Sequence, residues 1–175
     1  CSSNGVSPVD AETPTQEQHW SRRFSSPMRY LEHFSVHPRG HKVGFITRGQ
    51  AFTMPFFEGA CVQHSPGSDV RYRWLEWLND GDKFVAVMDK DKFERLISHD
   101  AKDPMAEPTF LTEGDIGRVI SLAVSPDGTK IAFSNHRFEL LILDIQSKKW
   151  NVIDRSDADR ISSMSWSPDS RWLAY

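Results

Sequence analysis

Four related turn phrases set the limits on what this chain can fold into: HPRGHKVGFI, LNDGDKFVAV, SPDGTKIAFS and SPDSRWLAY. Aligned, they put Gly40, Gly81, Gly128 and Ser170 at equivalent places, with steps of 41, 47 and 42 residues. A repeat of about 40 to 50 residues is the length of a four-stranded propeller blade. Each phrase has the chemistry of a tight turn: Pro fixes φ, Asp or Asn bonds its own backbone, and Gly takes the left-handed angle. Ser170 lacks glycine's freedom, so its turn is expected to be of another type or mildly strained.

Short apolar runs flank each turn, and no amphipathic stretch of helical period competes with them. An innermost strand precedes the turn (31–36, 72–77, 119–124, 161–166) and a second follows it (42–47, 84–88, 130–134, 172–175). Three repeats continue into two further strands: QAFTMPFF and ACVQH, FERLISHD and EPTFLT, FELLILDI and WNVID. The fold class is therefore all-β. It is a partial β-propeller of about three four-stranded antiparallel blades (30–68, 69–114, 115–156) plus the first strands of a fourth (157–175). Residues 1–26 are rich in Ser, Pro, Thr, Gln and Glu and read as a polar linker, with Trp20 and Phe24 able to dock it locally.

A propeller closes with four to eight blades, and each blade buries its faces only against neighbours. Three and a half blades leave two open flanks, so the native protein is expected to be longer. At about 25 cal/mol per Å², uncovering Trp172, Leu173 and the flank beneath them forfeits several kcal/mol. The isolated chain is expected to aggregate, pair with a copy of itself or be marginally stable.

Charge narrows the partners. Lys plus Arg is 21 and Asp plus Glu is 24, a net charge of -3, with no like-charge run of the kind that binds nucleic acid or an anionic membrane. No apolar run approaches the ~20 residues of a membrane helix. Cys1 and Cys61 are the only cysteines, too few for a disulfide framework or a four-thiolate zinc site. That usage fits reducing surroundings, so a cytoplasmic protein is expected, with the periplasm as the alternative.

Three passages, RYLEHFSVHPRGHKVGFITRGQAFTMPFFEG, DIGRVISLAVSPDGTKIAFSNHRFELLILDI and DRISSMSWSPDSRWLAY, resemble the propeller region of the tricorn proteases, at the passage from the first propeller into the second. SPDG alone is shared with TolB-like and prolyl-oligopeptidase-type propellers. The combination of TRGQAFTMP, SNHRFELLILD and SPDSRWLAY is more specific, and the resemblance covers about residues 27 to 175. It implies a large, self-compartmentalising serine peptidase, homo-oligomeric at full length, whose propellers sit over the catalytic core as passages for peptides. The partners implied are the remaining blades, the peptidase core of the parent chain, and peptides. No position matches the motifs that carry that family's nucleophile, base or oxyanion hole, so the segment reads as non-catalytic. The alternative is a non-enzymatic propeller scaffold of TolB-like or WD40-like kind that binds proteins.

Several residues invite chemistry. His33, His37 and His41 recur every four residues, but Pro38-Arg39-Gly40 breaks any helix that would cluster them, and four residues of strand span about 13 Å. They read as surface or hairpin histidines, and no metal or cofactor is expected. Asp89, Asp91 and Glu94, with Asp80 and Asp82 nearby, lack the glycine and glutamate spacing of a calcium loop and read as a solvated hairpin. Ser125 and Ser167 sit in turns without a nucleophile elbow. Trp74, Trp77, Trp166 and Trp172 read as filler between blades, and Phe56 and Phe57 as either buried or, for one of them, exposed.

An arginine stands at the mouth of three innermost strands, in DVRYRW, DIGRVIS and DADRISS. Arg71, Arg118 and Arg160 are 47 and 42 residues apart, the blade steps themselves. Equivalent positions converge on one rim of the channel, so these guanidinium groups are candidates to hold a peptide carboxylate. The plainer reading, which weighs more, pairs them with Asp69, Asp115, Asp157 or Asp159 to join blades.

Overall fold

A computed structural model describes residues 27–64, 70–90 and 93–175. The expected tail, with Trp20 and Phe24, lies outside the described residues, as do Asp69 and Asp91. A 3-10 turn at Pro27–Tyr30 leads into three four-stranded antiparallel sheets, each with its strands in chain order. The first holds β1 (Leu31–Val36), β2 (Lys42–Thr47), β3 (Gln50–Pro55) and β4 (Val62–Gln63). The second holds β5 (Arg71–Trp77), β6 (Lys83–Lys90), β7 (Phe93–Asp100) and β8 (Thr109–Phe110). The third holds β9 (Val119–Val124), β10 (Lys130–Asn135), β11 (Glu139–Asp144) and β12 (Lys149–Arg155). A hairpin of β13 (Ser165–Trp166) and β14 (Leu173–Ala174) follows. The chain is a partial β-propeller. Its fourth innermost strand covers Ser165–Trp166 rather than the expected 161–166, with Ser165 paired to Ala174.

The four turns share one hydrogen-bond pattern. His37, Leu78, Ser125 and Ser167 donate their N–H to the carbonyls of Lys42, Lys83, Lys130 and Trp172, and Gly40, Gly81, Gly128 and Ser170 donate back to His37, Leu78, Ser125 and Ser167. The last residue of each set has φ of +68°, +71°, +70° and +57°. Ser170 thus makes the same turn as the glycines and carries the left-handed strain. Its Oγ offsets part of that by accepting the Asp127 N–H at 3.0 Å. The Ser and Asp side chains lock the turn from within: Ser125 Oγ donates to Asp127 Oδ1 at 2.6 Å, and Ser167 Oγ to Asp169 Oδ1 at 2.6 Å. Both hydroxyls therefore serve the backbone.

Packing follows the two-residue period of a strand with both faces covered. On β6, Phe84, Ala86 and Met88 face the first sheet and join Ile46, Ala51, Tyr72, Leu75 and Trp77 in one core. Val85 and Val87 face the third sheet and join Leu96, Val119, Leu122, Ile131, Phe133 and Leu141 in another. The first strands of successive sheets touch, β1 against β5, β5 against β9 and β9 against β13, so they gather on the inner side. Trp77 Nε1 donates to Ser35 O at 3.1 Å and Trp166 Nε1 to Ala123 O at 3.1 Å, the same device two repeats apart. Turns are linked as well: His37 Nε2 to Gly81 O at 2.9 Å, Asn79 Nδ2 to Pro126 O, and Asp127 N to Ser170 Oγ.

One expectation needs correction. His37 is buried, its Nδ1 accepting the Arg39 N–H while its ring packs on Trp77, because the first turn is covered by the second. Trp172 is 75% exposed, on the flank of the last hairpin that was expected to be open. Phe34 on the opposite flank is 60% exposed, and Phe56 and Phe57 are both exposed on the loop after β3.

Candidate functional site

At the end of the sheets away from the four turns, the pleat gathers charge on one face of the second sheet. Arg71 pairs across to Asp89, which pairs to Glu94, and Arg73 lies two positions along on the same face. That face looks toward the third sheet. There the loop before β9 contributes Asp115 and Arg118, and the β10–β11 tip contributes His136 and Arg137. Together they wall a cleft of about 480 Å³.

Within the cleft most charge is already matched. Arg73 Nη1 lies 2.5 Å from Glu94 Oε1, and Glu94 Oε2 accepts the Val119 N–H at 2.6 Å, so one carboxylate ties β5, β7 and β9 together. Arg137 pairs with Asp115. The Gly117 N–H, followed by the Arg137 guanidinium, holds the Asp115 carboxyl below the ordinary carboxylate range.

Among the described residues, Arg71, Arg118 and Asp89 are left over. Arg71 is largely exposed, and the one described carboxylate within ion-pair distance of it is Glu32, at 3.6 Å. Among the described residues, Arg118 has no carboxylate within ion-pair distance. Its backbone is fixed instead: its N–H donates to His136 Nδ1 at 2.9 Å, and its carbonyl accepts the His136 N–H at 2.9 Å. Because His136 Nδ1 accepts, the ring proton sits on Nε2, which makes His136 a further donor in the cleft wall. Arg71 is positioned by the first sheet. Gly49, at φ +73°, accepts the Tyr72 N–H at 2.7 Å, and a Cβ on Gly49 would stand 2.5 Å from Arg71 Cγ.

Of the three arginines singled out by the repeat, Arg71 and Arg118 share this cleft and Arg160 stands outside it. The expected acid partners differ too. Asp115 is taken by Arg137, which the β10–β11 tip brings closer than Arg118. Asp159 accepts the backbone N–H of Arg160 at 2.6 Å rather than its side chain. The ion pair of Arg73 with Glu94, which spans the second sheet from β5 to β7, was not anticipated, nor was the part of His136.

A second recess of about 170 Å³ adjoins the cleft on the inner side and shares Arg73 with it; Glu32, His33 and Trp74 complete its lining. Trp74 occupies a β-bulge, since Arg73 pairs with Val87 and Leu75 with Ala86, leaving it unpaired at φ +52°. Its ring lies 4.7 Å from that of His33. Burial lowers the His33 pKa; its Nδ1 accepts the Leu75 N–H at 3.4 Å and its Nε2 lies 3.6 Å from Glu76 Oε1.

Among the described residues, no group of three or more His, Cys, Asp or Glu is placed to hold a metal ion. Repeated four-stranded antiparallel sheets gathered by their first strands around one axis define a β-propeller, and the cleft lies at the mouth of one of its seams. The family model of the tricorn protease second β-propeller domain matches residues 31–175, and the chain belongs to that family. It is 32% identical over 167 residues to a tricorn-like protease C-terminal subunit of Sulfurisphaera tokodaii, covering 95% of this chain and 18% of that relative. It is 28% identical over 172 residues to a tricorn protease homolog of Saccharolobus solfataricus, covering 98% of this chain and 15% of the relative. The crystal structure of the tricorn protease superposes with a TM-score of 0.73 at 24% identity, over 85% of this chain and 14% of that one. TolB from Acinetobacter baumannii superposes at 0.64 with 20% identity, over 81% and 36%. These two likenesses concern the fold. The chain spans less than a fifth of the length of both curated relatives.

Proposed function

We propose that this chain is a non-catalytic propeller segment of a tricorn-like serine peptidase, forming part of the wall of a peptide passage, and that Arg71 and Arg118 hold a peptide's terminal carboxylate there. The observation that supports the reading is the pairing state of the cleft. Arg73 and Arg137 are matched by Glu94 and Asp115, whereas the two arginines at equivalent repeat positions face the same opening with their charge largely unmatched. A carboxylate would receive donors from both, with His136 Nε2–H beside them. Arg160, one repeat further on, extends the same chemistry to the next seam. Peptides, the remaining blades and the peptidase core are the partners of this reading.

Binding of matched peptides with free or amidated C-termini to the full-length protein tests it. Charge-assisted hydrogen bonds contribute about 1.5–3 kcal/mol each, so Arg71→Gln with Arg118→Gln should weaken the free-carboxylate peptide by roughly 10- to 100-fold or more. The amidated peptide should change little. Equal affinity of the native protein for both peptides would remove the proposal.

A further inference from the structure

The recess beside the cleft carries a second recognition element. We infer that the recess against Trp74 accepts one flat, uncharged side chain, aromatic by preference, from the last two residues of the peptide whose carboxylate Arg71 and Arg118 hold. The inference rests on that carboxylate reading and names the ligand more narrowly.

Backbone strain is the first ground. Trp74 is a bulky residue at φ +52°, a conformation that glycine adopts freely and an aromatic residue rarely does. Strain of this kind persists where the surroundings fix it, and it gathers at ligand sites. The bulge takes Trp74 out of the β5–β6 pairing and out of the alternation that puts Tyr72, Leu75 and Trp77 in the core between the first and second sheets. It turns the indole toward the inner side, where only part of it is covered by the core between the second and third sheets.

Recess chemistry is the second ground. Its volume, about 170 Å³, suits one side chain rather than a stretch of backbone. The Arg73 guanidinium on its wall is neutralised by Glu94, and His33 Nε2 faces Glu76 Oε1 at 3.6 Å, so an incoming anionic group finds no free partner on either. Besides Glu32, which lies 3.6 Å from Arg71, the wall offers two ring faces tilted at 58°, which suits a third ring in an offset or edge-on arrangement. Continuity is the third ground. Arg73 borders both spaces, and the Arg71 to Glu32 contact runs alongside, so a peptide fixed by its carboxylate has its final side chains at the mouth of the recess.

Calorimetric titration of the full-length protein tests this with peptides that differ only in carrying Phe, Gly or Asp at the last or next-to-last position, each free and amidated. Peptides with Phe at one of these positions should bind about tenfold tighter than their Gly counterparts. Trp74→Gly, which suits the left-handed backbone and so preserves the bulge, should abolish that preference while leaving the free-over-amidated discrimination intact. Trp74→Phe should retain most of it. Discrimination against amidated peptides without any preference for Phe would overturn this inference and leave the carboxylate reading standing. Loss of both discriminations in the native protein would overturn the two together.

Discussion

Acidification from pH 7 to pH 4 should loosen the seam between the first and second sheets, with His64 as a principal cause. His64 is fully buried there. Its Nε2 is 2.7 Å from Thr53 Oγ1, its ring lies 5.3 Å from those of Phe84 and His99, and its Nδ1 has no hydrogen-bond partner. Burial, followed by the nearby His99 and Lys42, lowers its pKa from 6.5 to about 4. A histidine depressed in the fold stabilises the protein fully above pH 6.5. As pH falls below that value the unfolded chain takes up a proton that the folded chain refuses, and the loss levels off below about 4. At 1.36 kcal/mol per pKa unit, the whole effect is about 3 kcal/mol. In hydrogen exchange of the full-length protein, after correction for the intrinsic rate, protection of the segment that pairs His64 N–H with Ala51 O should drop up to tenfold per pH unit across this window. His33 and His37 are also lowered by burial and act in the same direction, so the decisive quantity is the difference from His64→Gln, which keeps a partner for Thr53 but does not titrate. An identical pH slope in His64→Gln would refute the reasoning.

Two further outcomes follow from the packing. Glu94→Leu should destabilise the protein by about 3 kcal/mol because it strands the partly buried Arg73 and the Val119 N–H, and Arg73→Leu in the same chain should recover part of that in denaturant unfolding. Ser170→Ala keeps the left-handed angle but loses the bond from Asp127 N, whereas Ser170→Gly relieves the angle; thermal melts should rank Gly above Ala by about 1 kcal/mol.

The repeat was legible because turn chemistry is local. Pro, Asp and Gly fix the turns at Gly40, Gly81 and Gly128 whatever lies beyond them, and the same period carried Arg71 and Arg118 to one cleft. Arg160, one repeat further on, belongs to the seam between the third and fourth repeats and so lies outside this cleft. The partners of the arginines were illegible for another reason. Arg73 meets Glu94 only through the β5–β6–β7 register, and the bulge at Trp74 shifts that register by one residue without any glycine or proline to announce it. Burial of His37 and His64 depends likewise on which rings face them across a seam, namely Trp77 and Phe84. A single strand's alternation cannot report that.

The two mouths of this arc are fastened by unlike means. At one, each turn clasps the next through uncharged contacts from His37, Asn79 and Ser170. At the other, charged groups make the links: the Glu94 carboxylate of the second sheet accepts the Val119 N–H of the third, and Arg71 of the second lies 3.6 Å from Glu32 of the first. Dissolved salt screens the exposed Arg71–Glu32 contact and has no such hold on the uncharged clasps, so ionic strength acts on the arginine-bearing rim and spares its opposite.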